Sequence, residues 1–330
     1  MFINIDLPNT IYNIELTNSA DGIDMSTQTH SSSNNKAIVA LAALLGCSIL
    51  LGLSINLAKI AIGEGIAALP FLTLSLAGAS LILFVLSSLK NQHPPRNISA
   101  IKYYFISAFF SVAGSNLIFF SAVAHVGVSF VALTISLPPL LTYVAALLLG
   151  MESYSRWRAA GVAFALGGTS VLVVAKWSAP DSDQFWILLT LLGPILLAAG
   201  NIYRTTHWPK GAQAEALAPG MLLAATITLM IAGITVPSMS LSVTLDSSTI
   251  ALLLFQSVVF AGQFLLLFIL QKIGGPVFLS LIGAVSAAFG IPFAVILLGE
   301  PMLAAVIPSG VLIMVGIICM MKGQSQTAYA

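Results

Sequence analysis

The chain has 330 residues, of which 58% are hydrophobic and only 7% charged, and its mean hydropathy is +1.02. A soluble globular domain carries about 25% charged residues, so this composition excludes an ordinary soluble fold. The net charge of +1 does not indicate a nucleic-acid-binding surface. The two cysteines, Cys47 and Cys319, lie in apolar segments near opposite ends and predict neither a disulfide framework nor a zinc site.

The first 36 residues differ from the rest of the chain, because they are rich in Asn, Ser and Thr and hold four of the eleven acidic residues. They lack the basic start and apolar run that mark a signal peptide. The composition predicts a disordered cytoplasmic tail over residues 1–36. It leaves open whether Met1 or Met25 is the native start.

Ten apolar segments follow the tail, each about 20 residues long, which is enough for one helical crossing of a hydrocarbon core about 30 Å thick. Backbone groups in lipid must bond within their own segment, so each is predicted to be a helix. Outer-membrane strands would be about half as long. The predicted spans are 37–62, 69–89, 103–124, 129–150, 157–176, 185–206, 219–239, 249–270, 276–299 and 303–322.

The basic residues indicate how these spans are oriented. Ten helices place both termini on one side of the membrane. With the N-terminus in the cytoplasm, ten of the twelve Lys and Arg residues lie on the cytoplasmic side, and only Lys59 and Lys176 lie at the outer ends. This bias predicts a multi-pass protein of the cell (inner) membrane with both termini cytoplasmic.

The two halves of the chain resemble each other. At an offset of 148 residues, Gly114 aligns with Gly262 and Gly127 with Gly275. Because each half has five spans, the second half must enter from the opposite side. The sequence thus predicts an all-α integral membrane fold of ten transmembrane helices, arranged as two inverted five-helix repeats around a central cavity. The predicted units are a tail 1–36, a first repeat 37–176, a second repeat 177–322 and a cytoplasmic C-terminal tail 323–330.

A short motif ends the fourth and the ninth span. The first copy reads Leu-Leu-Gly150-Met-Glu152, the second reads Leu-Leu-Gly299-Glu300, and a glycine-spaced helix follows each. In these motifs, and in a Gly, Ser, Asn and Lys pattern of the first span, the chain resembles the EamA-type transporters of the drug/metabolite transporter superfamily. The resemblance covers residues 37–322. It departs at the inserted Met of the first copy, and an Arg common in the family's second helix is absent.

The resemblance implies two inverted repeats around a central cavity and the transport, usually export, of small metabolites, amino acids or drugs. It also implies that the fifth and tenth helices lie outside the cavity. The sequence agrees, since these two spans carry few polar side chains between their charged ends.

Polar side chains within the spans are candidates for lining the cavity, because such groups are costly at membrane depth and often functional. Amides and hydroxyls donate and accept hydrogen bonds, which suits a zwitterionic or polar, uncharged substrate. The alternative is that they only bond helix to helix, that Lys59 reaches the outer headgroups and that Arg204 anchors its helix. The candidates are Asn56, Lys59, Asn116, Ser136, Tyr143, Asn201, Tyr203, Gln256 and Gln263.

Prolines interrupt the fourth and ninth spans, where each removes a backbone hydrogen bond. The predicted hinges are Pro138, Pro139, Gly290 and Pro292, with a static kink as the alternative. Glu152 and Glu300, at span ends, are interpreted as capping or pairing residues. All eleven acidic residues lie in the tail, loops or span ends, which favours facilitated diffusion or exchange over proton coupling through a mid-membrane carboxylate.

The predicted function is an alternating-access membrane transporter, or permease, that exports small polar metabolites such as amino acids by facilitated diffusion or exchange. Its expected partners are a small-molecule substrate and the lipid bilayer, with no nucleic acid, cofactor or metal; the oligomeric state is left open. No enzymatic activity is expected, because metal, nucleophile-elbow and phosphate-loop motifs are missing. The alternative is an intramembrane enzyme or a channel on a duplicated helical fold.

Overall fold

The computed structural model describes residues 25–179, 183–236, 239–273 and 275–327, and all of its regular elements in these ranges are helices. Most of the predicted N-terminal tail and the last residues of the C-terminal tail lie outside the described ranges. The helices are α1 (Met25–Gly63), α2 (Ala68–Leu89), α3 (Ile98–Val126), α4 (Val128–Leu148), α5 (Arg156–Trp177), α6 (Gln184–Thr206), α7 (Ala214–Thr235), α8 (Ser247–Ile273), α9 (Gly275–Leu297) and α10 (Val306–Thr327).

These helices confirm the predicted class, an all-α integral membrane protein. Within the described ranges, nine helices are long and apolar enough to cross a membrane, and α9 adds an apolar stretch over Leu281–Leu297. Hydrophobic side chains also cover the outside of the bundle, where they are exposed to the surroundings rather than packed inside. Such a surface suits a lipid environment, which gives no penalty for exposed apolar groups.

Helix α1 begins earlier than the sequence indicated. It starts at Met25 rather than at residue 37, so residues 25–36 are helical where a disordered tail was predicted. No Gly or Pro interrupts residues 25–37. Once the apolar part of α1 has formed, extending it costs little, because each added residue gains a backbone hydrogen bond.

Two helices depart from regular α geometry near the middle of the bundle. Helix α3 contains a π-helical turn over Phe109–Gly114. Helix α4 is interrupted after Thr134 and resumes at Pro138, where the missing N–H of proline costs nothing because a first-turn N–H has no partner inside the helix. Pro292 instead lies inside a continuous α9. The two predicted hinge regions therefore differ: one is a break in the helix and the other is not.

The packing brings helices of the two halves together. Helix α1 packs against α8 and α9, α2 against α7 and α8, α3 against α6 and α7, and α4 against α6 and α9. Helices α5 and α10 pack mainly against each other, to one side of the other eight. The rings of Phe71, Phe120 and Phe260 stack in sequence inside the bundle, with centroids 6.2 and 5.9 Å apart.

The contact between α5 and α10 is made by their backbones. A Cβ on Gly161 would lie 2.6 Å from the carbonyl oxygen of Gly316, and a Cβ on Gly316 would lie 2.6 Å from that of Gly161. Small residues that let backbones approach are a common basis of helix association in membranes, where lipid removes the hydrophobic driving force.

We expect Gly161→Leu to lower the melting temperature of the purified protein in detergent. The added side chain has no space against α10, and overpacking of this kind costs about 1–3 kcal/mol. Gly167→Leu is the matched control, because no atom lies within 4 Å of its added Cβ and the change in helix propensity is the same. Equal melting temperatures in the two variants would contradict this packing.

Candidate functional site

A cavity of about 360 Å³ lies between helices of the two halves. Its wall is formed by parts of α1, α3, α4, α6, α8 and α9, together with the ends of α5 and α10. This volume falls within the range of small-molecule sites, about 300–1,000 Å³. The lining begins at one end of the bundle, with Arg204 in the last turn of α6 and Gln271 near the end of α8, and extends to the middle of the helices at Leu51 and Asn116.

Four of the nine predicted cavity residues line this cavity: Asn116, Tyr143, Asn201 and Gln263. Asn116 lies directly after the π-helical turn of α3, where its amide donates to the carbonyl of Val112 at 2.8 Å. The cavity also contains polar residues that were not among the candidates, namely Ser111, Thr142, Glu152, Arg158, Arg204, Thr205 and Gln271.

The interruption of α4 lies in the cavity wall. Ile135, Pro138 and Pro139 all line the cavity. Helix α9 approaches this segment at Gly283, where an added Cβ would lie 2.5 Å from the carbonyl oxygen of Ile135. Non-helical backbone at membrane depth is tolerated only where protein or a cavity surrounds it, and both conditions hold here.

Two predicted cavity residues bond helix to helix instead. The amide of Asn56 donates to the carbonyls of Gly52 at 2.8 Å and Gly290 at 3.1 Å, which joins α1 to α9. The amide of Gln256 donates to the hydroxyl of Ser54 at 2.6 Å, which joins α8 to α1. Both side chains are fully buried. The structure places them in the alternative role that the sequence left open.

Two further candidates also lie outside this cavity. The hydroxyl of Ser136 donates to the carbonyl of Leu133 at 2.6 Å, within the turn that ends the first part of α4. The ring of Tyr203 stacks on Tyr103 and His207, with centroids 6.3 and 4.3 Å apart.

At the cavity end of the bundle, Glu152 and Arg158 form an ion pair. The two guanidinium nitrogens Nη1 and Nη2 of Arg158 donate to the two carboxylate oxygens at 2.5 and 3.3 Å. The same guanidinium lies 4.3 Å from the ring centre of Tyr143, and the Tyr143 hydroxyl accepts from the Ser155 N–H at 3.0 Å. This leaves the Tyr143 O–H free to donate to a ligand.

At the opposite end, Glu300 joins three parts of the chain in what we call the clasp (Glu300, Lys59, Val128 and Ser129). The carboxylate accepts from the Val128 N–H at 2.9 Å and from the Ser129 N–H at 3.0 Å, and it is ion-paired with Lys59. It therefore caps the start of α4, where unpaired N–H groups and the helix dipole favour a negative charge.

Glycine makes this capping geometry accessible. Gly127 has a φ of +87°, a conformation that other residues rarely adopt, and a Cβ there would lie 2.9 Å from a Glu300 carboxylate oxygen. Burial alone raises the pKa of Glu300, but the Lys59 ammonium and the two backbone N–H groups stabilise the carboxylate. They hold its pKa below the ordinary value.

The contacts of the clasp bear on the roles predicted for Glu300 and Lys59. The interpretation of Glu300 as a capping and pairing residue is confirmed. Lys59, a cavity candidate with headgroup contact as its alternative, does not line this cavity, and its ammonium is ion-paired with Glu300. The two residues are 241 positions apart, so no local pattern in the sequence indicates the pair.

Taken together, the nine long apolar helices of the described residues and the shorter apolar stretch of α9 define a multi-pass membrane protein, and a cavity lies between its two halves. The EamA-like transporter family model matches residues 38–174, which run from α1 to α5. Over this part of the chain, the protein is similar to a family that is generally one of membrane transporters.

Solved structures add support for the fold. A search of them finds 27 matching chains. One, described only as "Crystal structure of protein", is 17% identical, with a TM-score of 0.59 over 88% of this chain and 99% of that chain. At this identity the likeness concerns the fold alone. No curated protein matches.

We expect Glu300→Gln to destabilise the protein by about 2 kcal/mol, because a neutral amide replaces hydrogen bonds to a charged group. The pKa of Glu300 is lowered by folding, so its contribution is present above the ordinary glutamate pKa of about 4.3 and is lost as the pH falls through the folded value. Melting temperatures across this pH range check both effects. Glu64→Gln, an exposed acid after α1, is the control. If both variants show the same melting temperature and the same pH profile, the clasp does not stabilise the fold.

Proposed function

We propose that this protein is an alternating-access transporter of small polar metabolites, such as amino acids or related compounds, which works by facilitated diffusion or exchange. The observation that carries the proposal is a cavity that extends from one end of the bundle to its middle, with the clasp at the other end. The rings of Phe71, Phe120 and Phe260 contact one another in the buried core of the bundle. This arrangement suits a state in which a substrate reaches the cavity from one side only.

The helix contacts support the proposed inverted repeat. Exchanging α1 to α5 with α6 to α10 turns the α1 contacts with α8 and α9 into the α6 contacts with α3 and α4. It turns the contact between α2 and α8 into that between α7 and α3. Three contacts are unchanged by this exchange, because each joins a helix to its own counterpart: α2 with α7, α4 with α9 and α5 with α10. A pseudo-two-fold arrangement predicts such a pattern.

The close backbone contacts of α5 and α10 follow the same exchange. Adding 148 to Gly161 and Gly168 gives Ser309 and Gly316, and the contact of Gly161 with Gly316 is matched by that of Gly168 with Ser309. A Cβ on Gly168 would lie 2.8 Å from the Ser309 carbonyl oxygen. The offset of 148 is the one that aligns Gly114 with Gly262 and Gly127 with Gly275, whereas the sequences of α5 and α10 align their glycines at 149, Gly161 with Gly310 and Gly167 with Gly316.

The basic residues favour the cavity end as the cytoplasmic side. Arg158, Arg204, Lys272 and Lys322 all belong to the helix ends on that side, in agreement with the positive-inside bias. On this orientation the structure corresponds to an inward-facing state with its outer end closed by the clasp. Both termini then lie in the cytoplasm and the protein belongs to the cell (inner) membrane.

The acids near the cavity support diffusion or exchange rather than carboxylate-based proton coupling. Glu152 is the only acidic residue in the described lining, and it is paired with Arg158. Glu300 is held in the clasp. A mid-membrane relay needs a carboxylate that gains and loses its proton during transport, and the described lining offers no unpaired one.

A channel is the second candidate, because a duplicated bundle with a polar cavity is also compatible with continuous conduction. An enzyme has less support, because the EamA family is a transporter family. Counterflow separates the two transport modes: a carrier preloaded with unlabelled substrate accumulates labelled substrate transiently, whereas a channel does not.

We expect Asn116→Ala and Gln263→Ala to reduce saturable flux in proteoliposomes, assayed with a panel of amino acids. Each change removes an amide from the cavity, and a hydrogen bond worth about 1.4 kcal/mol corresponds to a tenfold change in affinity. Gln184→Ala, an exposed amide at the start of α6, should leave flux unchanged. Full flux in both cavity variants would remove these amides from the proposed site.

We expect a cysteine in the cavity to react with a membrane-impermeant maleimide from one side only. Thr142→Cys, in a Cys47→Ser and Cys319→Ser background, should be labelled in inside-out vesicles and not in right-side-out ones. Adding Glu300→Gln should release the clasp and allow labelling from the other side. Adding Glu64→Gln should not. Labelling of Thr142→Cys from the outside with an intact clasp would contradict the inward-facing state.

A further inference from the structure

Arg204 is a buried cation without an acidic partner among the described residues. Its exposure is 4%, and it lines the cavity. Its one hydrogen bond is from Nη2 to the amide oxygen of Asn201 at 2.6 Å, and Nε and Nη1 have no partner in the described part of the chain. Withdrawing an arginine from water without pairing its charge costs several kcal/mol, so this arrangement needs a compensating gain.

The other charges of the cavity do not provide it. The described lining holds two positive side chains, Arg158 and Arg204, and one negative side chain, Glu152. Glu152 accepts both of its close hydrogen bonds from Arg158. One positive charge is therefore left in the cavity, and it belongs to Arg204.

The neutral groups near Arg204 are also unsatisfied. Within the described residues, the hydroxyls of Ser111 and Thr142 and the amide oxygens of Gln263 and Gln271 lack hydrogen-bond partners, and all four residues line the cavity. Two of these groups can donate and two can only accept. Together with the free N–H groups of Arg204, they form a set that a ligand with an anionic group and a hydrogen-bond donor would satisfy.

We propose that Arg204 binds a carboxylate of the transported molecule and so selects substrates with a single negative charge at that end. Guanidinium N–H groups match the two oxygens of a carboxylate, and such charge-assisted bonds are among the strongest in proteins. A monoanion neutralises the single excess charge, whereas a dianion such as a phosphate monoester leaves a negative one. The inference deepens the proposed function and rests on it for the identity of the ligand as a substrate.

Binding is measured on the purified full-length chain in neutral detergent, by the ligand-induced rise in melting temperature. The probes are glycine, alanine, glutamine and lactate, each compared with its own amide or methyl ester, and inorganic phosphate. The wild-type protein should be stabilised by carboxylate probes more than by their carboxyl-blocked partners. Blocking an amino acid leaves a net cation, whereas the amide of lactate is uncharged, so the lactate pair decides the comparison. Since a bond to a charged group is worth about 1.5–3 kcal/mol, Arg204→Gln should weaken the affinity for the carboxylates at least about tenfold.

Two further variants distinguish a ligand-binding role of Arg204 from a purely structural one. Arg204→Lys keeps the charge but loses the fork geometry, so it should retain part of the response. Arg156→Gln removes an exposed arginine outside the cavity and should respond as the wild type does. Without ligand, Arg204→Gln should be at least as stable as the wild type, because it removes a buried, uncompensated charge. A merely structural Arg204 predicts the reverse.

The proposal is overturned if carboxylates and their carboxyl-blocked partners stabilise the wild type equally, if none of the probes does, or if phosphate alone does. It is also overturned if Arg204→Gln retains the full carboxylate response. Flux in proteoliposomes is scored separately. Carboxylate binding without flux would contradict the proposed transport function but support the proposed carboxylate site. Flux that depends neither on the charge of the probe nor on the Arg204→Gln substitution would contradict the site but support the transport function.

Discussion

The organisation of the cavity depends on one capped helix start. Helix α4 begins at Val128, and its first N–H groups are held by Glu300, which comes from the far end of the chain and is neutralised by Lys59 of α1. A buried carboxylate is stable there because it has a cation and two backbone donors. With its start fixed to α1 and to the end of α9, α4 can be interrupted further along without losing its position. That interruption, at Ile135 and Pro138, forms part of the cavity wall.

Buried polar groups join helices toward the clasp and line the cavity at the other end. Toward the clasp, the amides of Asn56 and Gln256 and the carboxylate of Glu300 all donate or accept between helices. Unpartnered atoms occur in both regions of the described structure, since the amide oxygens of Asn56 and Gln256 lack partners as well as that of Gln263. Buried polar groups are normally paired, and each exception calls for an explanation. The cavity differs in that one of its unpartnered groups is charged, the guanidinium of Arg204, and an unpaired buried charge costs far more than an unpaired amide.

The sequence predicts those features that depend on local pattern. Apolar segment length gives the helices and the membrane class, and the Leu-Leu-Gly-Glu motif gives a structural role for Glu300. The sequence does not indicate which of two buried amides faces a cavity. Gln256 and Gln263 lie two turns apart on the same helix face, yet one bonds to Ser54 of α1 and the other lines the cavity. The difference depends on which side chains of α1 lie opposite each amide. For Arg204, its position at the inner end of its span allows an anchoring role, and its place in the cavity wall depends on segments that are distant in the sequence.

The clasp also gives a reason why two related repeats need not produce two equally stable end states in the proposed transport cycle. If the proposed inverted repeat holds, the counterpart of Glu300 is Glu152, and the counterparts of Gly127, Val128 and Ser129 are Gly275, Pro276 and Val277. Proline has no N–H, so a cap by Glu152 at the start of α9 would have one donor where Glu300 has two. In this structure Glu152 pairs with Arg158 instead. On the proposed inverted repeat, the cap formed by Glu300 would therefore have one backbone donor more than its counterpart, and the proposed inward-facing state would be the better capped of the two.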